Sequence, residues 1–107
     1  MVQKTVNNVG IVKRFKKKLQ SHFKIDRIVF FGSRARGNFG EESDFDLILV
    51  SDDFEKMPLH KRGIKAYLEW KEKYPLELLC LTNKEFNEKR KNAWSIVFEA
   101  LKNGVTV

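Results

Sequence analysis

The chain has few of the residues that staple, break or anchor a fold: of 107 residues, one is cysteine, two are proline and two are histidine. A lone thiol, Cys80, excludes a disulfide framework, and without a second thiol or a suitably spaced histidine it excludes a zinc site as well. Within an apolar run, Cys80 reads as a small buried hydrophobe in a reducing compartment rather than a nucleophile. His22 and His60 stand apart and have no ligand spacing. With only six glycines beside the two prolines, the chain is neither low in complexity nor disordered. No apolar run approaches the ~20 residues that cross a bilayer. The start is polar, with Lys4, Asn7 and Asn8, unlike a secretory signal, so the expected location is the cytoplasm.

What is present suits a compact module. Hydrophobic residues make up 42% and charged residues 33%, and a chain of this size is expected to form one domain, residues 1–107, burying about 65% of its unfolded surface. The net charge is +7, with lysine and arginine clustered at Lys13, Arg14, Lys16, Lys17 and Lys18 and again at Lys84, Lys89, Arg90 and Lys91. Such clusters can track phosphates. Few aromatic residues interleave with them, and Phe15 within the first cluster belongs to the apolar stripe of its helix, so solvated helix faces or contact with an acidic protein is the favoured reading over nucleic acid.

Apolar periodicity predicts a helix from about Thr5 to Phe23, carried by Val6, Val9, Phe15, Leu19 and Phe23. Two buried strands follow, Ile25–Phe31 and Asp46–Val50, separated by a short helix over Ser33–Gly37. A second long helix is expected from Leu59 to Tyr74, with Ile64, Tyr67 and Leu68 near one face and Pro75 as its stop. Leu76–Leu81 reads as a third strand. Thr82 and Glu85 form a capping box that opens a helix to about Asn92. A last helix, Ala93 to Lys102, groups Trp94, Val97, Phe98 and Leu101, and Asn103-Gly104 closes it before a terminal Val105–Val107 extension. The fold class is α/β (α+β), a small mixed sheet flanked by helices.

The residues that carry chemistry lie between the first two strands: Gly32-Ser33, ten residues, then Asp44-Phe45-Asp46. Gly32 lets the backbone leave the strand at angles a Cβ would forbid and lets a phosphate approach main-chain N–H groups. Ser33 adds a hydroxyl and is a good N-cap, and Arg34 and Arg36 add charge that phosphate would welcome. Residues two apart on a strand share a face, so Asp44 and Asp46 project side by side with Cα atoms about 6.5–7 Å apart. Two carboxylates so close repel unless a cation lies between them. A hard divalent ion, Mg²⁺ or Mn²⁺, which takes its remaining ligands from substrate phosphates, is the expected occupant.

This text, Phe31-Gly32-Ser33-Arg34-Ala35-Arg36-Gly37 followed by Ser43-Asp44-Phe45-Asp46-Leu47, resembles the signature of the nucleotidyltransferase superfamily that includes DNA polymerase beta. It is similar in particular to the small prokaryotic minimal nucleotidyltransferases. The resemblance implies a polymerase beta-like fold and transfer of a nucleotidyl group from ATP or another NTP. It implies catalytic and metal-binding roles for Asp44, Asp46 and a third carboxylate from a neighbouring strand, for which Glu77 is the candidate. Nucleotide-binding roles fall to Gly32, Ser33, Arg34 and Arg36. Aspartate is more usual in the family where Glu77 stands. Family members are commonly paired with helical HEPN-domain proteins as antitoxin and toxin, which implies transfer of AMP onto a tyrosine of that partner. The alternatives are a non-catalytic module that masks such a partner, and a nucleotide-binding subunit of a transferase acting on a small molecule or a nucleic-acid end.

Overall fold

The computed structural model describes residues 7–107. Helix α1, Asn8–Leu19, begins where the Asn7 side chain accepts the Gly10 N–H, and it buries Ile11, Val12, Phe15 and Leu19 along one stripe. The predicted start at Thr5 and Val6, together with Lys4, lies outside the described residues. The helix ends earlier than its periodicity suggested, and a hydrogen-bonded turn carries the chain through His22 and Phe23.

Strands β1 (Arg27–Phe31), β2 (Phe45–Val50), β3 (Leu76–Leu81) and β4 (Val105–Thr106) form a mixed sheet in the order β3-β2-β1-β4. The β1–β2 and β1–β4 pairs are antiparallel, and β2–β3 is parallel. Alternation along the strands divides the core in two. Ile28, Phe30, Phe45, Leu47, Leu49 and Cys80 face α1. Val29, Ile48, Val50 and Leu81 face Phe86, Val97 and Ala100 of helices α5 (Asn83–Lys89) and α6 (Ile96–Asn103). The two lysine clusters therefore sit on layers at opposite faces of the sheet.

Three sequence expectations change. The helix expected over Leu59–Tyr74 is two short helices, α3 (Leu59–Arg62) and α4 (Ile64–Leu68), interrupted at Gly63. Arg62 draws the chain inward at the break. Its guanidinium donates to Met57 O, to Cys80 O and, bidentately, to the Glu85 carboxylate at 2.6 and 3.1 Å. Ile64, Tyr67 and Leu68 stay exposed, and Ala66 is the buried residue of α4. Secondly, the last helix starts at Ile96, capped by Ser95, so Trp94 falls outside it and is 95% exposed. Thirdly, the terminal extension is a strand: Val105 and Thr106 pair with Phe30 and Val29, and Val107 N–H donates to Ile28 O. The capping box of α5 forms as expected, with Thr82 and Glu85 each accepting the other's N–H.

The outer edge of β3 is partly covered. Leu78 N–H donates to the Tyr67 hydroxyl at 3.2 Å, and Cys80 O accepts from Arg62 at 3.1 Å. Side chains of α3 and α4 thus occupy backbone groups that an open edge strand would offer to another chain.

Candidate active site

Gly32 follows the last residue of β1 at φ +85°, a left-handed conformation that favours glycine. A Cβ built there would overlap Asp46 Oδ2. The glycine thus serves the carboxylate as well as the turn. Gly32, not Ser33, is the N-cap of α2 (Ser33–Arg36), and Ser33 is its first helical residue. The Ser33 hydroxyl has no hydrogen-bond partner among the described residues and is only partly buried.

Asp46 is the second residue of β2, paired in register with Phe31 on one side and Glu77 on the other. The pairing with Glu77 is parallel, so both side chains leave the same face. Asp44, two residues earlier, joins them. Asp44, Asp46 and Glu77 each present a carboxylate oxygen, all within 4.8 Å of one another. Their face is that of α5 and α6, and burial declines toward them: Val50 and Ile48 are fully covered while Asp46 is half-exposed, and Leu81 is covered while Glu77 is exposed. The helices thus leave the acidic end of the sheet open.

The electrostatics are those of an unneutralised cluster. Burial, then the charges of Asp44 and Glu77, push the Asp46 carboxyl above its ordinary range, and Arg36 partly opposes them. Among the described residues none of the three carboxylates has an ion-pair partner within 4.0 Å. An all-oxygen donor set with surplus negative charge fits a hard divalent cation better than a softer metal.

The two arginines of the motif part company. Arg36 is exposed, close enough for its charge to lower the Asp46 carboxyl. Arg34, expected to meet phosphate, is 2% exposed and faces inward. Its guanidinium donates to Ser43 O, Gly40 O, Glu41 O and Asn8 Oδ1. The rings of Phe39, Phe45 and Tyr74 surround it at 4.3–4.8 Å. With these donors committed, Arg34 is not available to a nucleotide. No local signal marks this inward turn, since backbone carbonyls look alike in every residue and Asn8 lies 26 positions away.

Residues 12–107 match the family described as the nucleotidyltransferase domain. The chain belongs to that family. A relative from Methanocaldococcus jannaschii, provisionally named a protein adenylyltransferase, is 33% identical over 70 residues, covering 64% of this chain and 71% of the relative. A second relative of the same name from the same organism is 42% identical over 53 residues, covering 47% and 53% respectively. These likenesses agree with the minimal nucleotidyltransferase group of the polymerase beta-like superfamily, and the protein is an enzyme of the nucleotidyltransferase type. Among solved structures, a provisionally assigned nucleotidyltransferase from Sulfolobus solfataricus superposes with a TM-score of 0.59 at 22% identity, covering 75% of this chain and 71% of that one. BolA1 from Arabidopsis thaliana superposes at 0.55 with 25% identity, covering 70% and 94%. The fold layout is therefore not confined to nucleotidyltransferases, and the case for activity rests on the family match and the residues of the site.

Proposed function

We propose that this nucleotidyltransferase transfers AMP from ATP, with Mg²⁺, onto a tyrosine hydroxyl of a HEPN-domain partner and so neutralises it as an antitoxin. The observation that carries the metal-dependent part is the meeting of Asp44, Asp46 and Glu77 beside the Gly32 turn. The names of the Methanocaldococcus relatives support a protein as acceptor. A cytoplasmic setting fits this reading, and no helix among the described residues is long and apolar enough to cross a membrane.

In this reading Asp44, Asp46 and Glu77 hold Mg²⁺, with Mn²⁺ as a substitute, and the Gly32–Ser33 turn and Arg36 receive the β- and γ-phosphates. When bound, the ion neutralises phosphate charge and lowers the pKa of the attacking hydroxyl. The work left to the chain is positioning. Gly32 keeps space open above Asp46, Ser33 offers a hydroxyl that no described residue engages, and Arg36 places an exposed positive charge close to Asp46. The incoming oxygen then attacks the α-phosphorus in line and pyrophosphate leaves.

The test is to incubate the protein with Mg²⁺ and α-³²P-labelled ATP, with and without a HEPN protein encoded beside it. Label on the partner's tyrosine, lost in the Asp44→Asn, Asp46→Asn double variant, supports the proposal. A double variant that still neutralises the partner in cells would point to masking by contact alone.

A further inference from the structure

We propose that Arg34 is a positioning residue for the metal site: it fixes Asp44, the one carboxylate of the three that no strand holds. The proposal rests on the metal-binding part of the reading above. Asp46 and Glu77 sit within the β2–β3 ladder as register partners. Asp44 precedes β2, at the end of the loop that follows α2. Its place therefore depends on what holds that loop.

Arg34 holds it from beneath. Nε donates to Ser43 O at 2.7 Å, and Nη2 donates to Gly40 O at 3.2 Å and to Glu41 O at 3.1 Å. The turn closes on itself as well, with Ser43 N–H donating to Gly40 O and Gly40 N–H donating to Ser43 Oγ. On the other side of Asp44, Phe45 stacks on the guanidinium and donates its N–H to Pro75 O. Both chain neighbours of Asp44 are thus tied to one buried cation. Arg34 is itself locked: Asn8 Oδ1 accepts from Nη1, and Asn8 Nδ2 donates to Arg34 O. A planar fork reaches these separate acceptors, which the single ammonium of a lysine cannot span.

The proposal predicts that loosening Arg34 weakens the metal site without dismantling the sheet. Mn²⁺ affinity is measured on the intact chain by electron paramagnetic resonance, beside amide exchange and thermal unfolding, for wild type, Arg34→Lys, Asp44→Asn and their combination. Outer residues that orient metal ligands typically govern affinity by ~10–100-fold, so Arg34→Lys is expected to lose about that much. Exchange at Ser43, Asp44 and Phe45 should quicken while that of β1 and β3 holds. The combined variant should bind hardly more weakly than Asp44→Asn alone, because both changes remove the same contribution.

Unchanged Mn²⁺ affinity in Arg34→Lys, or losses that simply add in the combined variant, overturns the proposal and leaves the metal-site reading standing. Wild type that binds no Mn²⁺ overturns both. If Arg34→Lys does not fold, Asn8→Ala serves instead, since it removes one acceptor and leaves the three carbonyls. A several-fold loss of affinity in that variant supports the proposal, and none overturns it.

Discussion

Asp46 Oδ2 occupies the space in which a side chain at Gly32 would begin. The turn that ends β1 and the carboxylate near the start of β2 therefore share one space, and no side chain fits at Gly32 while Asp46 keeps its place.

Gly32→Ala is accordingly expected to damage both site and fold. A non-glycine residue at φ +85° costs of order 1–3 kcal/mol, and the added methyl displaces Asp46. Thermal unfolding should show the loss, and a Mn²⁺ titration should show affinity falling with it.

Asp46→Asn should separate the two. The raised carboxyl of Asp46 means that the folded state holds its proton more tightly than the unfolded chain does, so this group erodes stability as pH rises from its ordinary value of 3.8 through the raised one. Removing its charge is expected to raise the melting temperature of the metal-free protein at neutral pH while abolishing metal binding and transfer. A lower melting temperature would contradict the repulsion inferred among the three carboxylates.

Glu85 should behave in the opposite sense. Its hydrogen bonds from Arg62 hold its carboxyl down at about 2, below the ordinary 4.5. Its contribution is then complete above 4.5 and fades as pH falls toward about 2. Glu85→Gln is expected to cost about 1–3 kcal/mol at neutral pH by leaving the buried Arg62 poorly paired, and the gap from wild type should narrow in acid. Melting curves across that range check the sign.

Tyr67→Phe removes the acceptor for Leu78 N–H at the sheet edge. The expected cost is about 0.5–1.5 kcal/mol, with faster exchange at the Leu78 amide. Trp94→Ala, by contrast, should leave stability within about 0.5 kcal/mol of wild type, as substitutions at exposed positions without special contacts do.

Much of the site was legible because strands encode faces by parity. Asp44 and Asp46, two apart, are placed side by side by local spacing, whereas Glu77 is a candidate only through the family resemblance and its place in the next apolar run. The capping box at Thr82 and Glu85 is likewise a signal contained in four consecutive residues. The helix from Leu59 to Tyr74 misled because its apolar residues have helical spacing, whereas Gly63 and the inward pull on Arg62 decide where the helix breaks.

The sequence by itself determined the alternation that gives a two-faced sheet, the glycine turn between its first strands and the acidic pair that follows. These depend on residues near one another, where backbone sterics and side-chain period act directly. Only the tertiary structure decided that Glu77 lies beside Asp46, that Val105–Thr106 closes the other edge, and that Arg34 turns away from the site to grip its loop. Each of those depends on partners remote along the chain or on backbone carbonyls, which carry no identity in the sequence and acquire a role only when the fold brings a donor to them.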